Sequence, residues 1–518
     1  MTTPRFVIED NVEDFNGDLL VFCVYQAKEG GLCHGPMEKQ VQKAVEVGDF
    51  SGKEEETLLF YPLHGMELSL AGVKRVLVLG LGDPSEQEEP GGVRDLFRRT
   101  GGVIAKQCEK LKAQTLMVTL PETELLEPGQ MAECLVEGIC LGDYRFVKYK
   151  KEKSKEREYP GLNHVALAPG KTDHDVLQRG MDLGRTAAMA VCQARDMANE
   201  PGNAWTATAF AEFAQNFVED LVKDSTEPHS LGCRILEKSD MERLGMGGIL
   251  AVNRGSDEPP QMVVVEYLPE KRAETILLVG KGVTFDSGGI SLKTALGMEN
   301  MKYDMCGGAA VLCAMQVVAL ERPNVGVVAI IPATDNLAGG MAVKPGDIIR
   351  HFNGITSEII NTDAEGRVIL ADALAWGINE YSPCCVVDIA TLTGAVVMGL
   401  GHHYSGLMGN NDLLAQRLVS AGARSGEPLW RLPLGKAYSK QIESKVADIR
   451  NIGGKSAGAI TAAAYLENFV GDTPWAHLDI AGTAWDFTEK TYIPKGPSGV
   501  GVRTLVELIR SWEPGVCG

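Results

Sequence analysis

Lys281, Asp286, Lys293, Asp304, Asp363, Glu365 and Arg367 fall in stretches of sequence that otherwise read as buried. Lys281 and Asp286 follow the apolar run ILLVG, and Lys293 lies seven residues further on. Asp304 stands in MKYDM, ahead of a helix-like stretch, and the last three residues belong to NTDAEGR. Four carboxylates gathered in one apolar site would repel each other, and some would take up protons. Hard divalent cations such as Mg²⁺, Mn²⁺ or Zn²⁺ remove that conflict by accepting oxygen ligands. Four carboxylates exceed what one ion usually takes. The economical expectation is a two-metal site, with ions about 3.5–4 Å apart sharing a hydroxide that is nucleophilic at neutral pH. Spacing alone leaves a second reading open, in which these groups are solvated and Asp363 or Thr362 caps a helix.

Other chemistries find less support. None of the nine histidines forms H-E-x-x-H or a Cys/His zinc pattern. His402-His403 reads as a surface loop. Ser287 and Ser291 lack the G-x-S-x-G setting of an activated serine. Gly80-Leu81-Gly82 follows a strand-like run but lacks the third glycine of a dinucleotide loop, so a tight strand-to-helix turn is the expectation.

The elements that must position these residues alternate in type. In the first part, residues 19–24, 76–81 and 116–120 are apolar runs suited to buried strands, and 93–111 is compatible with a helix. Residues 173–198 read as one long helix, with Asp173 as its cap and Pro201-Gly202 beyond its end. The second part alternates again, with strand-like runs at 276–279, 325–331 and 386–389. Each is followed by a polar or glycine-rich segment read as a loop: GKGVTFDSGG, PATDN and ATLTGA. Open α/β sheets bind ligands at the carboxyl ends of their strands, so the chemistry is expected there.

A chain of 518 residues exceeds what one core usually supports, about 250–300 residues, so two domains are expected. The boundaries predicted are an N-terminal α/β domain at 1–172, a linker helix at 173–198 and a catalytic domain at 199–518. The formal charge is 50 − 69 = −19, which disfavours a broad nucleic-acid surface. The run KYKKEKSKERE at 148–158 mixes both signs and reads as a solvated loop. Twelve cysteines without a C-x-x-C pair suit a reduced protein. The acidic first fifteen residues suit no secretory signal, and no apolar run reaches membrane-spanning length. A cytoplasmic location follows as an expectation.

Several long motifs, in order, resemble the leucyl aminopeptidase family: GKGVTFDSGGISLK at 280–293, MKYDMCGGAA at 301–310, NTDAEGR at 361–367 and ATLTGA at 390–395. VADIRNIGG at 446–454 and HLDIAGTAW at 477–485 are similar to its C-terminal segments. The resemblance implies an α/β fold, in which a macro-domain-like N-terminal domain is joined by a long helix to a catalytic domain with a mostly parallel central sheet. It implies a metallo-exopeptidase that releases leucine and other residues from peptides with a free N-terminus, by attack of a metal-bridging hydroxide. By the same resemblance Lys281, Asp286, Asp304 and Glu365 hold one metal, and Asp286, Asp363 and Glu365 hold the other, the ions being Mn²⁺ or Zn²⁺, or else Mg²⁺. A metal-ligating Lys281 would have a depressed pKa. Lys293 matches a catalytic lysine and Arg367 an arginine that holds bicarbonate, for which a planar fork is suited. Met301, Thr391, Leu392 and Gly394 match positions that line the pocket for the first side chain. A homohexamer built as a trimer of dimers, with no membrane partner, is also implied. Cys306 departs from the glycine that some relatives have, and is read as a small buried residue. Two alternatives stand beside this reading: a two-metal phosphoesterase, and a DNA-binding regulator on the same fold.

Overall fold

The apolar runs become strands because helices cover both faces of the sheets they form, leaving no polar side to alternate with. In the computed structural model, which describes residues 4–26, 38–62, 70, 72–83, 91–151, 154, 158–223, 230–486 and 490–515, two compact units divide the chain. One comprises Met1–Cys192 with Thr488–Pro494, the other Gln193–Phe487 with Lys495–Gly518.

The first unit carries a six-stranded sheet in the order Arg5–Ile8, His164–Ala168, Thr115–Thr119, Leu19–Val24, Val76–Gly80, Thr57–Phe60. All its pairings are parallel except the last. Helices Gly92–Leu111 and Pro128–Gly142 pack so closely that a Cβ at Gly138 would stand 2.0 Å from the Arg98 carbonyl oxygen. The mixed-charge run at 148–158 lies partly outside the described residues. Helix His174–Asn199 begins where Asp173 Oδ1 accepts the N–H groups of Asp175 (2.9 Å) and Val176 (3.4 Å), and it ends just before Pro201.

The second unit is built on a nine-stranded sheet. Its path runs Leu429–Arg431, Ser405–Gly409, Trp475–Asp479, Cys385–Ala390, Thr275–Gly280, Gly326–Asn336, Gln261–Tyr267, Leu231–Leu236. The inner pairings are parallel, and antiparallel strands flank them on both sides. Two segments expected as loops are strand. Gly282–Asp286 pairs in parallel with Ala333–Asn336, the far end of an eleven-residue strand that outruns its neighbour Thr275–Gly280. The polar composition of GKGVTFD and PATDN hid this continuation. Lys281 stands at the break between the two short strands. Its N–H donates to the Ile389 carbonyl (3.0 Å) and its own carbonyl accepts the Gly308 N–H (2.7 Å).

Helices Cys306–Glu321 and Gly366–Tyr381 are apolar nearly all round and pack against the central strands. The stretch Met298–Glu321 is long and apolar enough to cross a membrane by composition, yet 89% of its most apolar window is buried inside this unit, as in a core helix.

Candidate metal centre

The break in the strand aims Lys281 at the site. Its ammonium lies 2.7 Å from Asp304 Oδ2, 2.8 Å from Glu365 Oε1 and 3.0 Å from the Thr391 carbonyl. Asp304 directly follows the 3₁₀ turn Met298–Tyr303, and Glu365 immediately precedes helix Gly366–Tyr381. A side chain at Gly366 would strike this lysine, since a Cβ there would stand 2.6 Å from Lys281 Cε and 2.7 Å from Nζ. Asp286 ends the strand Gly282–Asp286. Lys293 lies 2.7 Å from Asp286 Oδ2 and 2.5 Å from Asp363 Oδ1. Two lysines thus each join a pair of carboxylates. One oxygen from each of Asp286, Asp363 and Glu365 lies within 4.8 Å of the others.

Backbone and side-chain amides hold these loops to one another. Asp286 Oδ1 accepts the Gly288 N–H (2.8 Å) and the Asn336 carboxamide (2.7 Å), and Asn336 also donates to the Thr362 carbonyl (3.0 Å). Thr362 Oγ1 donates to the Gly288 carbonyl (2.6 Å) and accepts the Ser291 N–H (2.8 Å). Neither Thr362 nor Asp363 caps the following helix, so the capping alternative is not what the structure adopts. On the other side Asn451, wholly buried, bonds to Ile360, Asn361 and Ala364. Its carbonyl accepts Arg367 Nη1 at 2.8 Å. Arg367 is itself buried, and its Nε has no hydrogen-bond partner among the described residues. Thr391 Oγ1 donates to Asp304 Oδ1 (2.8 Å). Asp479 accepts the backbone N–H groups of Leu392 (3.2 Å) and Thr393 (3.4 Å), fixing the segment just before helix Gly394–Leu400.

Electrostatically the cluster is over-supplied with negative charge. Burial, with the Glu365 charge beside it, holds the Asp286 carboxyl above the ordinary carboxylate range. Burial lifts Asp304 well above that range and Asp363 above it, against the pull of Lys281 and Lys293. Burial acts to lower the Lys281 pKa, but Asp304, Glu365 and Asp286 outweigh it and push the ammonium upward. The direction expected of a metal-ligating amine is thus reversed among carboxylates alone; cations in their midst would act the other way. For Arg367, burial lowers the pKa, opposed by Glu365. Several carboxyls pushed toward neutrality in one place, with an amine among them, fit hard divalent cations. The residues able to hold them are Lys281, Asp286, Asp304, Asp363 and Glu365. The buried guanidinium of Arg367, with a donor to spare, suits a small planar anion.

The substrate-pocket expectations are distributed unevenly. Thr391 is buried and touches Asp304, Leu392 flanks Gly366, and Met301 lies in the 3₁₀ turn before Asp304. Gly394 opens a helix with free space around it. Cys306 is buried at the start of helix Cys306–Glu321, and burial raises its thiol pKa. His402 and His403 are exposed in a turn. The Ser287 hydroxyl donates to the Asn336 carbonyl (2.8 Å), and Ser291 Oγ accepts the Thr362 N–H (3.2 Å). Asn336, Asn451 and Asp479 were not singled out from sequence. The available signal was a polar residue inside or at the end of an apolar run, as in PATDN and HLDIAG.

Comparisons with known proteins agree over the whole length. The model of the cytosol aminopeptidase family's catalytic domain matches residues 192–506, and that of its N-terminal domain matches residues 26–153. A probable cytosol aminopeptidase of Desulforapulum autotrophicum is 75% identical over 518 residues, covering 99% of both chains. One from Desulfotalea psychrophila is 51% identical over 511 residues, covering 99% of this chain and 100% of that one. Among solved structures, the bottromycin maturation enzyme BotP in complex with Mn is similar, with a TM-score of 0.82 at 32% identity, covering 96% of this chain and 99% of the other.

Proposed function

The chain belongs to the cytosol aminopeptidase family of metal-dependent peptide hydrolases, and from that premise we propose that it releases single residues, leucine among them, from the free N-terminus of peptides. The observation that carries this reading is the convergence of Lys281, Asp286, Asp304, Asp363 and Glu365 on one buried centre. Lys281, Asp286, Asp304 and Glu365 would hold one ion, and Asp286, Asp363 and Glu365 the other. Mn²⁺ or Zn²⁺ is favoured, with Mg²⁺ as the third choice; the Mn complex of BotP supports the first. Ions held by these residues would activate a water as the nucleophile and polarise the scissile carbonyl.

The chain's own groups do the rest. Thr391 orients Asp304 through its hydroxyl. Lys293, whose side chain keeps 23% of its exposure, is the cation able to meet the carbonyl oxygen as negative charge develops there. Arg367, buried and with its Nε free of a partner among the described residues, would hold a bicarbonate, which would supply a proton relay toward the leaving amine. Met301, Thr391, Leu392 and Gly394 surround the first side chain. A requirement for a free α-amine makes the enzyme an exopeptidase.

Residues 199–518 carry the catalysis in this proposal, 173–198 link them to the N-terminal α/β domain at 1–172, and the chain assembles into a homohexamer. A cytoplasmic location is supported by the ten described cysteines, all free thiols. The test is hydrolysis of leucine p-nitroanilide and its N-acetylated form by protein stripped of metal and resupplied with Mn²⁺, Zn²⁺ or Mg²⁺. Metal-restored cleavage of the free-amine substrate alone is expected. Cleavage of both substrates, or of neither with any ion, overturns the reading.

A further inference from the structure

Asn451 lies outside the ligand set, is wholly buried, and has every polar group engaged. Its Oδ1 accepts the N–H groups of Ile360 (2.8 Å) and Asn361 (3.3 Å). Its Nδ2 donates to the carbonyls of Asn361 (2.6 Å) and Ala364 (3.4 Å). Its backbone N–H donates to Glu358 (3.0 Å) and its carbonyl accepts Arg367 Nη1 (2.8 Å). A carboxamide offers two donor hydrogens and an oxygen with two lone pairs. Here all four are directed at one short loop, which contains Asp363 and leads into Glu365.

We propose that Asn451 is a positioning residue: it fixes the loop that presents Asp363 and Glu365, and ties that loop to the arginine that follows it. The proposal rests on the two-metal reading above. The chemistry of the position explains the residue type. Aspartate would keep the two acceptances but lose both donations, and it would add a negative charge beside carboxyls already pushed toward neutrality. Serine is too short to span from Ile360 to Ala364. Alanine leaves the N–H groups of Ile360 and Asn361 without their acceptor.

Asp363 belongs to only one of the two proposed ion sites, so loss of Asn451 acts unequally on them. Groups that orient metal ligands typically change metal affinity or activity about 10–100-fold when replaced. The experiment is calorimetric titration of Mn²⁺ into the full, metal-stripped chain, for the wild type and for Asn451→Asp, Asn451→Ser and Asn451→Ala, with circular dichroism to establish folding. The wild type is expected to bind two ions. The variants should bind the ion that Asp363 helps to hold about 10–100-fold more weakly, and the ion that this loop reaches only through Glu365 should be weakened less. At saturating Mn²⁺, kcat for leucine p-nitroanilide should fall by a similar factor while KM holds. Two ions bound at wild-type affinity with unchanged kcat overturns the proposal. So does equal weakening of both ions, or failure of all three variants to fold in saturating Mn²⁺, because either makes Asn451 a general folding residue. Wild type that binds two ions but cleaves nothing defeats the peptidase reading and leaves the titration to judge Asn451.

Discussion

Lys281 and Lys293 each sit between two carboxylates, yet their surroundings assign them different work. The Lys281 side chain is 3% exposed and also donates to the Thr391 carbonyl, so it is fixed on every side. The Lys293 side chain is 23% exposed and held only by the carboxylates of Asp286 and Asp363 among the described residues. A cation that can leave its partners for a substrate oxygen is suited to stabilise developing charge. Lys293→Ala should therefore lower kcat by roughly 10²–10³, the usual loss for one such donor. Metal content, read by atomic absorption, should stay near that of the wild type; loss of metal would instead make Lys293 a structural part of the centre. At this scale the sequence was most legible where charged residues interrupt apolar runs, because burying a charge is costly unless it is paired. Asn336 and Asn451 are not legible in this way, because an uncharged amide at the end of a strand or just beyond it is ordinary, and only its hydrogen bonds distinguish it.

At the scale of elements, the strands Leu19–Val24, Thr275–Gly280 and Cys385–Ala390 were readable as apolar runs, since strands covered on both faces carry nothing else. Gly282–Asp286 was not, because the end of a strand at a site carries the polar residues the site needs. The helix that begins within NTDAEGR opens on a glycine with a specific duty. Alanine is ordinarily about 1 kcal/mol better than glycine within a helix. At Gly366 the added methyl meets Lys281 and, at 3.0 Å, Leu392. Gly366→Ala is expected to be destabilising by about 1–3 kcal/mol, as overpacking commonly is, and to weaken Mn²⁺ binding. Gly399→Ala in helix Gly394–Leu400, where nothing lies within 4 Å, is the control and should leave both unchanged or improve stability slightly. Thermal melts with and without Mn²⁺ would distinguish the two positions.

For the whole molecule, the sequence announced two α/β halves through alternation of element types, and the catalytic half through its motifs. The first half offered no motif beyond a glycine turn, so only its class was readable. A chain of net charge −19 that also concentrates carboxylates in its interior should gain stability from divalent cations. Binding to the folded state alone adds about 2.7 kcal/mol at a free ion concentration one hundred times Kd. Mn²⁺ should thus raise the melting temperature, and a chelator should lower it, whereas the same concentration of K⁺ should do neither. A melting temperature indifferent to Mn²⁺ would mean that the carboxylate cluster holds no ion.

The ties around the centre also set an order of events during synthesis. A nascent chain that has emerged as far as Arg367 possesses every proposed ligand. It still lacks Asn451, which brackets the ligand loop, and Asp479, which fixes the backbone of Leu392 and Thr393. The strand Trp475–Asp479, which lies beside Cys385–Ala390 in the sheet, is also still to come. The centre can take its final shape only after Asp479 has been made, so a nascent chain that stops short of it carries the proposed ligands without the hydrogen bonds that fix them.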